Sequence, residues 1–376
     1  MVRGVSRRTV LRSGAALAAA PLVGRVRPAA VPAVLPSRRS VLAAVRLVND
    51  AWLAAHPRPG DNRWAHATYV DGCLAAYAVT RERRYLAYAE RWAEAADYRL
   101  HGGPRTRDAD DMCAGQAYYA LHTLAPDPAK LASVDSAVLR MAHRSGPGSD
   151  DDWWWVDALH MAMPVFCRVA RHTGDPTVLP AMWRLYSDAK HRRGLYDRSS
   201  ELWFRDGRFV PPAGLRSPHG APVFWSRGNG WAFAAHAKTL SILPGHSPHR
   251  REYLNNLQAL ARSTARTQRA DGFWGVDLAD PDDHPGPETS GTALFVHSLA
   301  HGVRAGLLDR ATCLPVAVRA WNAMVATAVH SDGFLGYVQG VGDSPSSSQP
   351  VTRDTTADFA VGAFLRAGSA LARLAR

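Results

Sequence analysis

Asp157 stands at the head of an apolar stretch in the run DDDWWWVDALHMAMP, Asp150 to Pro164, directly after three tryptophans. Successive helical residues lie about 100° apart, so Trp153, Trp154 and Trp155 cannot all face a core. At least one is expected to line a cavity or lie exposed, where a sugar ring can stack on it. An acid at a helix start either caps the first turn or faces a pocket, and both roles stay open for Asp157. A second acidic cluster, RDADDMCAGQAYYAL, Arg107 to Leu121, sets Asp108, Asp110 and Asp111 before another helix. Taken alone it is a solvated cap. If helix ends converge on one mouth, Asp110 and Asp157 meet there, and two carboxylates in different environments are the usual equipment for splitting or hydrating a glycoside.

Two further runs suit binding. In WSRGNGW, Trp225 to Trp231, Gly228 and Gly230 allow close backbone approach, Arg227 offers a forked donor for a carboxylate, and Trp225 and Trp231 supply stacking faces. In GPETSGTA, Gly286 to Ala293, Thr289 and Ser290 fall at a helix start, where backbone N–H groups either hold an anion or are capped in the ordinary way.

The elements that must position these residues are helices. Apolar positions recur at helical spacing from about Ser40 onward, as in Val41-Leu42, Val45, Val48 and Trp52. The same pattern covers Tyr85 to Ala96, Ala114 to Leu124, Asp157 to His172, Trp231 to Leu243, Tyr253 to Gln268, Thr292 to Ala305, Val316 to Val329 and Thr356 to Leu374. No strand ladder competes, and the spacing predicts roughly a dozen helices in an all-α chain. Asp-Gly turns return as Asp206-Gly207, Asp271-Gly272 and Asp332-Gly333, each followed within two residues by an aromatic one. Helices flank each turn, so the period reads as a helical hairpin used about six times. The simplest closed arrangement is an (α/α)6 barrel, a six-hairpin toroid; a solenoid of helix pairs needs shorter and more uniform repeats.

Composition narrows the function classes. The chain has 376 residues, 47% of them hydrophobic, and a formal net charge of +12. Lysine occurs only at Lys130, Lys190 and Lys238, so the charge is carried by arginine spread along the chain. With no lysine-rich tail and no zinc-finger spacing, a nucleic-acid role is not expected, and the positive field suits an anionic substrate. Cys73, Cys113, Cys167 and Cys313 lack the paired spacing of metal sites and predict buried free thiols, although export would permit a disulfide, and they imply no metal. Residues 1–33 open with a basic stretch, Arg7-Arg8 after Ser6 and then an Ala/Leu run, the pattern of a twin-arginine-type export signal and linker. The expectation is an exported protein, periplasmic or extracellular, with residues 34–376 as one catalytic domain. No later segment carries about twenty uninterrupted apolar residues, so no membrane span is expected.

The runs ADDMCAGQ, DDDWWWVDALHMAMP, WSRGNGW, ADGFWGVDLADPDDHPGPETSGTA and LGYVQ, in this order, resemble the unsaturated glycuronyl hydrolases of glycoside hydrolase families 88 and 105. Within them the chain is most similar to the unsaturated rhamnogalacturonyl hydrolase group. The resemblance spans most of the chain after the leading segment and implies an (α/α)6 barrel acting without a cofactor on oligosaccharides left by polysaccharide lyases. It implies removal of a non-reducing terminal uronic acid, linked to rhamnose, by hydration of its C4=C5 bond. By the same resemblance Asp157 is the general acid/base and Asp110 the second acid, with adjacent Asp111 an alternative. Trp155, Met161, Trp225, Arg227 and Trp231 contact the substrate, Arg227 facing the uronate carboxylate, and Tyr69 takes the place of a family tyrosine. The chain departs from the family pattern at Gly146 to Ser149 and at Trp203-Phe204, where relatives supply histidines. Two other readings stay open on the same toroid: an inverting glycosidase for saturated chains, and a catalytically silent sugar-binding protein.

Overall fold

A computed structural model describes residues 33–376, so all of the predicted export segment except Ala33 lies outside the described residues. The chain forms the helices α1 (Arg38–Ala55), α2 (Trp64–Thr80), α3 (Arg83–Ala95), α4 (Ala109–Leu124), α5 (Ala132–Ala142) and α6 (Ala158–Thr173). There follow α7 (Val178–Ser187), α8 (Ser226–Ile242), α9 (Arg250–Thr267), α10 (Thr289–Arg304), α11 (Arg310–Thr327) and α12 (Asp358–Ala372). Two short strands, β1 (Tyr196–Asp197) and β2 (Leu202–Trp203), pair antiparallel between α7 and α8.

Even-numbered helices make an inner ring. Each packs on the next, from α2 through α4, α6, α8 and α10 to α12, and α12 returns to α2. Odd-numbered helices cover this ring from outside, giving the expected (α/α)6 toroid. Sequence pattern explains the sorting. In α8 every residue from Ser226 to Leu240 is buried, as an inner helix requires. In α9 the buried set Tyr253, Asn256, Leu257, Ala259, Leu260, Ala261, Ser263 and Thr264 falls on one side of the helix, as on an outer helix. The ring closes on backbone. A Cβ at Gly72 of α2 would stand 2.2 Å from the carbonyl oxygen of Gly362 in α12, so glycine is required where the first and last inner helices meet.

Helices α4, α8 and α11 begin at Ala109, Ser226 and Arg310, earlier than the apolar periodicity indicated. In α4 and α8 the first turns carry acids, glycines and Arg227 toward the mouth of the ring, so they show no apolar period. Gly228 and Gly230 accordingly lie inside a helix. A Cβ at Gly230 would come within 2.9 Å of Leu294, so this glycine permits close packing of α8 on α10. The recurrent Asp-Gly element is an Asx turn. Asp206, Asp271 and Asp332 each accept, through Oδ1, the backbone N–H two residues on, at 2.9, 3.1 and 3.0 Å. All four cysteines are free and buried. No helix among the described residues is long and apolar enough to cross a membrane.

Candidate active site

The N-terminal ends of the inner helices meet at one mouth of the ring, around a cavity of about 280 Å³. Trp64 enters from α2 and Asp110 from α4, while Trp155, Asp157 and Met161 come from the start of α6 and the segment before it. Trp225, Arg227 and Trp231 come from α8 and its preceding residue. Arg205 arrives from the stretch after β2, and Val341, Gly342 and Asp343 from the loop between α11 and α12. Helix N-termini carry positive partial charge, which favours an anionic ligand at this mouth. The volume lies at the small end of ligand pockets, roughly 300–1,000 Å³, and suits a chain end better than the interior of a polysaccharide.

Two carboxylates face this space in unlike surroundings. Asp157 is buried, and its Oδ2 accepts from Arg205 Nε at 3.2 Å. Burial raises its pKa above the ordinary carboxylate range, opposed by the charges of Arg205 and Arg227. Asp110 is half-buried on the first turn of α4; burial, then the charges of Asp108 and Asp157, push it up to about 7, against the pull of Arg205. The pair therefore holds a proton near neutrality. Arg205 is placed by a bridge between Trp155 and Asp206 that draws the stretch after β2 across the start of α6. It donates from Nη1 to Asp206 Oδ2 at 2.9 Å, and Asp206 in turn accepts from Arg208 Nη2 at 2.7 Å. Arg208 Nη2 reaches Asp343 at 2.8 Å, so alternating charges run from Asp157 to the cavity rim.

Arg227 is fully buried. Its guanidinium lies 4.5 Å from the centre of the Trp225 ring and 4.8 Å from that of Phe359. Nη1 donates to Ser290 Oγ at 3.1 Å and to the Gln339 carbonyl at 2.6 Å, and Nη2 donates to the Gly340 carbonyl at 2.7 Å. Nε has no partner among the described residues. Burial lowers Arg227 to about 10, with Glu288 and Asp157 acting the other way, so it stays charged at neutral pH. The same loop is held from its other side, where Trp225 Nε1 donates to Gln339 Oε1 at 2.8 Å. At the head of α10, Glu288 accepts from Ser290 N and Gly291 N at 2.8 and 2.7 Å. Ordinary capping, the second of the two roles left open for that run, is what the structure contains.

Among the residues singled out from sequence, Asp110, Trp155, Asp157, Met161, Trp225, Arg227 and Trp231 share the cavity. Asp111 lies beside it and accepts from Thr106 Oγ1 at 2.5 Å, outside the lining. Tyr69 is buried in the wall between α2 and α1, where it donates to Asn49 Oδ1 at 2.8 Å, and it too is absent from the lining. The three tryptophans precede α6 in non-helical backbone and have three fates. Trp153 is buried against Phe166, Trp154 is 48% exposed beneath Arg205, and Trp155 lines the cavity. Trp203 is buried, and its backbone N–H donates to Asn229 Oδ1 at 2.8 Å, pinning β2 to α8.

Trp64, Arg205 and the 341–343 loop were not singled out from the sequence. Trp64 packs edge-on to Trp231 with ring centres 6.2 Å apart, completing an aromatic wall. The one local signal for Arg205 is its position immediately before the first Asp-Gly turn. Among the described residues no group of three His, Cys, Asp or Glu side chains is placed to hold a metal ion.

A closed ring of six helical hairpins with an acidic, tryptophan-lined cavity at one mouth is the architecture of a six-hairpin glycosidase. The chain belongs to Glycosyl Hydrolase Family 88, whose sequence profile matches residues 43–375. The protein named "Unsaturated 3S-rhamnoglycuronyl hydrolase" from Formosa agariphila is 32% identical over 342 residues, covering 86% of this chain and 88% of the relative. A solved structure of a glycosyl hydrolase family 88 protein from Bacteroides vulgatus is 32% identical, with a TM-score of 0.84 over 90% of this chain and 99% of that one. Another solved protein, described as a polysaccharide lyase, is 33% identical with a TM-score of 0.83, covering 90% and 98% of the two chains.

Proposed function

We propose that this enzyme removes a 4,5-unsaturated uronic acid from the non-reducing end of lyase-generated oligosaccharides, with rhamnose as the adjoining sugar. The observation that carries the reading is the pair Asp110 and Asp157, both raised above the ordinary carboxylate range in one small cavity whose wall also holds Arg205 and Arg227. A protonated carboxyl beside a carboxylate supplies an acid and a base at once. Asp157 delivers its proton to C4 of the vinyl ether, and water adds at C5, losing its proton to a carboxylate of the pair. The resulting hemiketal opens, the C1 hemiacetal left behind expels the next sugar, and one water has been consumed. Trp155, Trp225 and Trp231 offer faces to the sugar rings. The charge of Arg227 in the cavity wall favours the uronate carboxylate, with Arg205 as a second cation at the acid. The rhamnose assignment rests on the name of the Formosa relative.

The leading segment is proposed to be a twin-arginine-type export signal and the remainder one catalytic domain working in the periplasm or outside the cell. This rests on Arg7-Arg8 and the apolar run behind them.

Mass spectrometry of a lyase digest tests the substrate. The expected product is an oligosaccharide shortened by its one unsaturated uronyl residue, while the same chain with a saturated end stays intact. Shortening of the saturated chain at equal rate overturns the proposal and favours a conventional inverting glycosidase.

A further inference from the structure

At the end of the ring opposite the carboxylate pair, the C-terminal halves of the inner helices enclose a second cavity, also of about 280 Å³. Arg168 of α6, Arg304 of α10, Arg366 of α12 and Arg373, which follows α12, line it. Asp71 of α2 is the one acidic residue in the lining, and it is already committed. Lys238 Nζ donates to it at 2.7 Å and Arg366 Nη2 at 2.5 Å. Five cationic side chains thus face one carboxylate, and the guanidinium groups of Arg168, Arg304 and Arg373 make no ion pair among the described residues. His297, buried in the same wall, has both ring nitrogens without a partner among the described residues.

The ordinary explanation falls short. Cations near helix C-termini complement the macrodipole, but that effect is small per charge and fades within the last turn. It does not reach Arg366, which lies in the body of α12. Nor does it satisfy a buried imidazole, whose unpaired nitrogens carry a desolvation cost. Arginines that face one another without counter-charge cost further, and the surroundings register it. Burial and the charges of Arg304 and Arg366 press His301 down to about 3, and burial followed by Arg304 and Arg38 holds Arg373 below the ordinary arginine range.

We propose that this basic cavity binds a small tetrahedral oxyanion, free sulfate or phosphate, through Arg304, Arg373, Arg168 and His297. Forked guanidinium donors match the edges of such an ion, and His297 contributes one further N–H. Arg304 and Arg373 are exposed at the rim, so the ion enters from solvent at the face away from the substrate.

The test is isothermal titration calorimetry with sodium sulfate and with sodium phosphate at fixed ionic strength. It compares wild type with Arg304→Gln, Arg373→Gln and the double variant. Low millimolar anion keeps the general stabilising effect of sulfate out of the signal. Wild type should show saturable binding near one ion per chain, weakened at least about tenfold in the double variant. Neither arginine lines the substrate cavity, so hydrolysis by the double variant should match wild type and report an intact fold. Absence of saturable heat in wild type overturns the proposal. So does unchanged affinity in the double variant, which would place the anion elsewhere, as at Arg227.

Discussion

Arg205 bridges Asp157 and Asp206, donating from Nε at 3.2 Å to the first and from Nη1 at 2.9 Å to the second. A residue from the stretch after β2 thereby sets the charge state of the proposed acid at the head of α6. Arg205 lowers the pKa of both Asp157 and Asp110, so its removal raises them. Activity that needs a protonated carboxyl is lost as pH rises through these values. In Arg205→Ala the falling limb of kcat/KM against pH should therefore move to higher pH, with roughly a tenfold or larger loss at the optimum from the missing cation. A limb that stays in place or moves to lower pH contradicts the coupling.

Asp110 is pushed up to about 7 in the folded chain, chiefly by burial and then by Asp108 and Asp157. The sign of its contribution to stability follows. Below about pH 4 the side chain is protonated in both states and costs nothing. Between about 4 and 7 the unfolded chain ionises first, so stability falls with rising pH until the folded group ionises too. Asp110→Asn removes this cost. Its gain over wild type should be near zero at pH 4 and about 1–3 kcal/mol at pH 8, discounted for partial exposure. Urea melts at the two pH values check it, and a difference independent of pH is the contrary result.

Arg227 does more than meet a carboxylate, because its two Nη groups already hold the Gln339 and Gly340 carbonyls. Arg227→Ala should raise KM and also destabilise the fold by about 2–4 kcal/mol, since buried charge-assisted hydrogen bonds to the loop are lost. Arg227→Lys keeps the charge but cannot span both carbonyls, and should recover part of KM with little of the stability. Steady-state kinetics and denaturant melts on both variants separate the two roles.

Ring closure rests on a glycine pair. Gly72→Ala would force a methyl group to within 2.2 Å of the Gly362 carbonyl oxygen, where neither backbone can yield cheaply. The expected loss is about 2–4 kcal/mol by denaturant melts. A loss below about 1 kcal/mol would show that α2 and α12 can separate freely.

Legibility in the sequence followed the range of the forces involved. Helices with a continuous apolar period, such as α6 and α9, and the Asx turns at Asp271 and Asp332 are local features and were readable. Asp157 was readable as an acid at the head of an apolar helix, but a cap and a pocket-facing group stayed equally open until the ring placed it in the cavity lining. The first turns of α4 and α8 were not, since residues facing a cavity carry no apolar rhythm. Arg205 was hidden because the bridge between Trp155 and Asp206 is a non-local pairing. Trp64 reaches Trp231 only because the ring brings α2 round to α8, and Val341 to Asp343 lie in a loop whose place is fixed by Arg227 and Gln339.

The most direct test follows the ultraviolet band of the conjugated uronate while the purified protein meets lyase-generated oligosaccharides, alongside an Asp157→Asn variant of confirmed fold. The band should decay with wild type, and roughly 10²–10⁴-fold more slowly with the variant. A band that grows would mark a lyase that makes the double bond, and one that is unchanged, or that decays equally fast in the variant, would contradict hydration driven by Asp157.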